Sequence, residues 1–241
     1  MLIERVLYVG GDDGVACKSG WDQAGIDYGI PVVNVTVRDS SFTTQACCVC
    51  IGSEMSGGAR NVSVHNVSCV NVGNAFQVKT TPGRGGYVQG FSVTDSTITG
   101  ASTGLMIMMT YGDHPQPPLT WNASALPVLN DFYYACVAAG AAQGGRAPPP
   151  PPSPTHTRTP PHPGPRHSLP TACSRIKGTG VETPGSLNGS PGAGAPGSVL
   201  ITGVRLEDVD LGYTRNPWKC ENVTGTSSNV QPQPCAALGG R

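Results

Sequence analysis

Asn61-Val-Ser-Val-His-Asn-Val-Ser-Cys69 reads as a turn residue, apolar, polar, apolar, any residue, Asn, two more, and apolar. The same nine-residue pattern occurs at Asn34-Val-Thr-Val-Arg-Asp-Ser-Ser-Phe42, Gly90-Phe-Ser-Val-Thr-Asp-Ser-Thr-Ile98 and Gly203-Val-Arg-Leu-Glu-Asp-Val-Asp-Leu211. The first three copies start 27 and then 29 residues apart. A second short apolar stretch keeps step at Val15–Lys18, Val49–Gly52, Gln77–Thr80 and Met106–Met109, which predicts Cys17, Ile51, Val78 and Ile107 as equivalent inward positions. Apolar residues at every second place mark strands. Strands of three to five residues between Gly, Asn, Asp and Ser turns leave no room for a crossover helix. Such strands bury no hydrophobic face alone, but they do when stacked coil on coil. The predicted fold is therefore all-β, a parallel β-helix. A β-sandwich, the main rival, shows turn signals every 8–12 residues and no fixed long period.

Composition agrees. The 241 residues include 33 glycines and 23 prolines, with 6% aromatic and 12% charged residues. A helical bundle is excluded, because helices tolerate little glycine or proline and need charged solvent faces. Lys plus Arg and Asp plus Glu number 15 each, so no electrostatic footprint for nucleic acid or an anionic membrane exists. No stretch approaches the length of a membrane span. The first residues, MLIERVLYVGGDDG, lack the apolar core and cleavage site of a signal peptide. Eleven prolines crowd into residues 148–170, together with His156, His162 and His167. Such a run is extended or disordered, and its histidines are solvated bystanders. The expected organisation is a coil region at 1–130, a disordered Ala/Gly/Pro-rich insertion at 131–174, and a late coil with a tail at 175–241.

The stretches most informative about chemistry lie at the second-strand position of successive coils. They are Val9-Gly-Gly-Asp12-Asp13-Gly-Val-Ala-Cys-Lys18-Ser-Gly-Trp21-Asp22, Ile51-Gly-Ser-Glu54-Met-Ser-Gly-Gly58 and Lys79-Thr-Thr-Pro-Gly-Arg84-Gly-Gly-Tyr87. In this order and spacing, the run from residue 9 to about 110 resembles glycoside hydrolase family 28, the polygalacturonases, and their exo-type and plant cell-wall branch in particular. Gly112-Asp-His-Pro115, Asn122-Ala-Ser-Ala-Leu-Pro127 and the tail from Trp218 to Cys235 continue the likeness.

The resemblance implies a right-handed parallel β-helix, a pectin-lyase-like solenoid. It implies inverting hydrolysis of α-1,4-galacturonosyl linkages in pectin or polygalacturonate by a secreted or cell-wall monomer that needs no cofactor and no metal. By position Asp12 would be the general acid and Asp13 a water activator. Adjacent like charges raise the pKa of one member, which keeps an acid protonated. Lys79 would bind the substrate carboxylate, since a polyanion requires a cation there. Arg84 is a candidate second cation or a turn residue, and Tyr87 either stacks on a sugar or packs at a corner. Three positions depart from the family pattern. Its third aspartate would fall upstream of Met1, so that a chain lacking the N-terminal coils is expected. Cys47 stands at the position of its histidine, and Gln77 at that of its arginine. Arg175-Ile176-Lys177 spells the family's basic motif by chance.

Nine cysteines are present. The match to the family tail favours a Cys220–Cys235 disulfide. Cys47, Cys48, Cys50 and Cys69 are expected as stacked core thiols rather than a metal site, since a buried thiol behaves as a small hydrophobe. Six Asn-x-Ser/Thr sequons, at Asn34, Asn61, Asn66, Asn122, Asn188 and Asn222, suit a secreted protein.

Overall fold

The computed structural model describes residues 1–112, 122, 124–139, 180–189, 199–212 and 214–239. The alternating segments form β1 (Leu2–Glu4), β2 (Leu7–Gly10), β3 (Val15–Cys17), β4 (Val32–Thr44), β5 (Cys47–Ile51), β6 (Ala59–Lys79), β7 (Tyr87–Thr94) and β8 (Thr97–Met108). After these come β9 (Val128–Ala135), β10 (Ala138–Ala139), β11 (Val181–Asn188), β12 (Ile201–Glu207), β13 (Lys219–Glu221) and β14 (Val223–Ser228). Neighbouring strands pair in parallel, each coil on the next. One wall runs β4, β6, β7, β9, β12, β14; the other runs β3, β5, β6, β8, β11, β13, with β6 long enough to serve both. The architecture is the β-helix expected from the repeat.

Register follows the pattern. Cys17 pairs with Ile51, Ile51 with Val78, Val78 with Ile107, and Ile107 with Leu187. On the other wall Val35, Val62, Phe91, Phe132 and Val204 form one buried ladder, and Val37, Val64, Val93, Tyr134 and Leu206 the next. Each such side chain contributes about 1.5–3 kcal/mol by leaving water. Phe91 and Tyr134 meet edge to face with centroids 6.1 Å apart. Burial pushes the Tyr134 phenol above its ordinary pKa.

The strands are longer than three to five residues, 13 in β4 and 21 in β6. The reason lies at the corners, which are single left-handed residues inside a continuing strand rather than loops. Asp39, Asn66, Asp95 and Asp208 form one such column, with φ between 50° and 51°. Asn34, Asn61 and Gly90 form another, at 55°, 54° and 72°. Asn, Asp and Gly adopt this conformation at least cost. The columns also bond along the stack, Asn66 Nδ2 donating to Asp39 Oδ1 at 2.7 Å and Asn61 Nδ2 to Asn34 Oδ1 at 3.1 Å.

Three expectations need correction. A helix does fit between strands: α1 (Asp22–Tyr28) leaves the coil after β3 and ends on Gly29, whose φ of 64° only glycine adopts freely. The segment expected to begin a disordered insertion at 131 starts inside β9, where Asp131-Phe-Tyr-Tyr-Ala-Cys136 is a further copy of the repeat. Its proline-rich part, with the three histidines and Arg175-Ile176-Lys177, lies outside the described residues. Cys48 and Cys69 are not separate core thiols but a disulfide linking adjacent ladders, with Cα atoms 5.8 Å apart. Cys220 and Cys235 are also bonded, as the resemblance implies.

Candidate functional site

Asp12 and Asp13 occupy the turn between β2 and β3, which the next coil holds in place. The Thr44 hydroxyl donates to the Asp12 carbonyl at 2.5 Å, and Gly14 N–H donates to the Cys47 carbonyl at 2.8 Å. The two carboxylates face different surroundings. Asp12 is exposed, and its Oδ1 accepts the N–H of Asp13 at 2.7 Å. Asp13 is largely enclosed: Oδ1 accepts Cys47 N–H at 3.0 Å, while Oδ2 accepts the Cys50 thiol at 3.2 Å and the Lys79 ammonium at 2.6 Å. Burial alone would raise the Asp13 pKa, but Lys79, the Cys47 amide and the Cys50 thiol outweigh it and hold the carboxyl below its ordinary value. Lys79 is shifted the other way. Burial disfavours its charge, yet the acidic groups around it, Cys50 and Asp13 foremost, hold the ammonium above its ordinary range.

Lys79 ends β6, 66 residues and two coils from Asp13. Its ammonium lies 5.7 Å from the centre of the Tyr111 ring. Stacking in register is what brings this lysine above that aspartate. Gly52 shapes the adjoining turn: at φ 90° its backbone passes so close that a Cβ would stand 2.2 Å from the Lys79 carbonyl oxygen. Gln77 is buried and engaged within the protein, accepting from Asn74 Nδ2 at 3.2 Å. Its Nε2 points at the Met106 sulfur.

The other expected binding residues are placed differently. Arg84 is fully buried, so it offers nothing to a polymer. Its guanidinium is ion-paired with Asp22 and donates to the Ser53 carbonyl at 3.0 Å and the Ser53 hydroxyl at 3.2 Å. It is a strut between α1 and the turn after β5. Tyr87 packs its ring over Gly58, where a Cβ would come within 2.3 Å of it, and stays partly exposed. Three residues that sequence reasoning did not single out lie in the same turns. Lys18 and Glu54 form an ion pair, which holds the Glu54 carboxyl low against the upward pull of burial. The Trp21 indole is 40% exposed, with Arg84 beneath it at 5.4 Å. The signal for all three was their place in the motif stretches quoted above.

Cys47 and Cys50 are buried and not disulfide-bonded. They stand at the spacing of a C-x-x-C pair, which corrects the core-thiol reading, since that reading counts no such pair among these cysteines. Both sulfurs lie beside Asp13, where the three ligand-type atoms fall within 4.8 Å of one another. Burial and the neighbouring Cys50 push the Cys47 thiol well above its ordinary pKa.

No protein-family model matches the chain. The chain is 27% identical, over an alignment of 241 residues, to a probable polygalacturonase of Vitis vinifera, with 98% of this chain and 40% of that protein covered. It therefore spans well under half the length of that relative. Its fold superposes on the crystal structure of a hyperthermoactive exopolygalacturonase from Thermotoga maritima with a TM-score of 0.63 and 23% identity, covering 95% of this chain and 41% of that one. The chain is thus similar to a probable polygalacturonase along nearly its whole length and shares the β-helix fold of an exopolygalacturonase.

Proposed function

We propose that this chain carries the catalytic face of a polygalacturonase-like glycoside hydrolase acting on pectin or polygalacturonate. Asp12 protonates the leaving glycosidic oxygen, and Asp13 activates the attacking water. In an inverting glycosidase these two tasks fall to separate carboxyl groups on opposite sides of the scissile bond. The observation that carries the assignment is the Lys79–Asp13 pair. A carboxyl held ionised by an ammonium suits a base and not an acid, leaving the proton-donating role to exposed Asp12. Lys79, buried but for a 7% edge and already bonded to Asp13, is the cation this reading sets beside a polyuronide. The same reading makes the protein a secreted or wall-bound monomer, with the turn sequons as glycan acceptors.

A second reading has its own support. Cys47 replaces an imidazole and Gln77 a guanidinium, and both are committed to internal contacts. A silent β-helix that binds acidic polysaccharide would tolerate both changes. Release of reducing ends from polygalacturonate by the purified protein, compared with Asp12→Asn and Asp13→Asn, separates the two readings. The hydrolase reading expects activity that falls at least a thousandfold in each variant. Retained binding with no activity in all three proteins would overturn it in favour of the silent binder.

A further inference from the structure

We propose that Asp13, Cys47 and Cys50 form a binding site for one thiophilic divalent cation of the zinc class. The inference does not depend on the hydrolase reading. Cys50 Sγ already lies 3.2 Å from Asp13 Oδ2, and all three ligand atoms fit within 4.8 Å. Tetrahedral zinc, with bonds of about 2.3 Å to sulfur and 2.0 Å to oxygen, places its ligands roughly 3.5–3.8 Å apart. Side-chain shifts of ~1 Å or less would therefore close the site.

The backbone brings both sulfurs beside Asp13, the Cys47 sulfur lying also 3.7 Å from the Ala75 carbonyl. Strict alternation would put residues 47 and 50 on opposite faces of β5. Instead Cys48 and Val49 both join the packed apolar cluster, with Ile51, while Cys47 and Cys50, equally buried, set their sulfurs beside Asp13. Cys48 is itself bonded to Cys69. These two thiols are thus distinct from the core cysteines around them.

Charge favours the same conclusion. A bound cation deprotonates its thiol ligands. Two thiolates and one carboxylate then face a divalent ion and the Lys79 ammonium, three negative charges against three positive. Lys79 and the Cys47 amide, which already bond the Asp13 oxygens, become the outer partners that orient a ligating carboxylate. Three protein ligands leave a fourth position for water or another oxygen donor, the arrangement of an open zinc site.

The test uses the full chain with its disulfides intact, under argon and without reductant. Titration with Co²⁺ should give a near-ultraviolet thiolate-to-cobalt absorption that saturates at one equivalent. One equivalent of Zn²⁺ should bleach it, with two protons released per ion in weak buffer. Cys47→Ser and Cys50→Ser should each abolish the band, Asp13→Asn should keep it with at least tenfold weaker affinity, and Cys17→Ser should leave it unchanged. Absence of the band in the wild type, or its persistence in the Cys47→Ser/Cys50→Ser double variant, overturns the site. So does a Cys47–Cys50 disulfide, detected as failure of both residues to alkylate in denaturant. Should the serine variants not fold, Zn²⁺ protection of wild-type Cys47 and Cys50 against alkylation, located by peptide mass, decides. Equal labelling with and without zinc refutes the proposal.

Discussion

Changing Asp22 to Asn removes the negative partner of a guanidinium that has no contact with solvent. Arg84 is 0% exposed and Asp22 1%. They join segments 62 residues apart, the start of α1 and the turn that follows β6. Among the described residues Asp22 Oδ2 has no hydrogen-bond partner, so the pair works through Oδ1 alone. Breaking one side of a buried ion pair costs about 3–5 kcal/mol, because the remaining charge is left in low dielectric. In a chain of this size 1 kcal/mol moves Tm by roughly 2–4 °C, so a fall of about 6–20 °C is expected. Arg84→Met should lose a comparable amount. Asp22→Leu with Arg84→Met together should recover much of it, since neither charge then remains. Thermal and urea unfolding of the four proteins measure this, with substrate kinetics of Arg84→Met taken well below its Tm. A strut predicts lost stability with KM near wild type. If Arg84→Met kept its Tm within about 2 °C and raised KM sharply, the strut would be refuted and Arg84 restored as a substrate cation.

The remaining perturbations probe the corners, the ladder and the ion pair. Asn66→Gly should be nearly neutral, whereas Asn66→Val should cost about 1–2 kcal/mol in urea unfolding, because the site holds φ 51°. Phe91→Ala should lose about 3–5 kcal/mol, since the ring is fully buried against Phe132 and Tyr134; a loss under ~1 kcal/mol would mean the ladder is loosely packed. Lys79→Met should destabilise at neutral pH. Asp13 titrates below its ordinary 3.8 in the folded state, so the wild-type advantage should be complete above that value and fade as pH falls through the lowered one. On the alkaline side the advantage should persist below the ordinary lysine value of 10.5 and decay only as pH rises through the raised one. In kcat/KM against pH, the acid limb should follow Asp13 below the ordinary carboxylate range and move to higher pH in Lys79→Met; an acid limb unmoved by that change would remove Asp13 as the base.

The β-helix was legible because inward positions repeat, and the eye finds Val, Ile and Phe at fixed offsets before an Asn or Asp. The copy at Asp131–Cys136 escaped for two reasons. Cys136 occupies the left-handed corner with φ 56°, where the pattern demands Asn or Asp, and the proline-rich run that follows hid its ladder residues Phe132 and Tyr134. Asp12, Asp13 and Lys79 were named by motif, but only stacking shows that Lys79 reaches Asp13. Arg84 was misleading because a cation in a glycine-rich turn looks solvent-facing in sequence. Its burial depends on Asp22, whose partnership no local pattern displays. The Cys48–Cys69 bond was invisible for a related reason, since disulfide partners on neighbouring coils follow from register and not from spacing.

Cys47 bears on how a proton would reach the general acid under the hydrolase reading. Asp12 loses its proton to the leaving oxygen in each turnover and must regain it. An imidazole at position 47 could relay that proton, because its pKa lies near neutrality. The Cys47 thiol cannot. Burial holds it protonated far above neutral pH, and its sulfur is turned toward the Ala75 carbonyl at 3.7 Å. Asp12, however, is the exposed member of the pair, so bulk water reaches it directly. Under that reading a thiol at position 47 is compatible with an exposed Asp12: a buried acid would need a relay, and an exposed one does not. The enclosed member is Asp13, which must stay ionised and needs no proton source. Its requirement is met by an ammonium two coils away, placed there by the same register that builds the core.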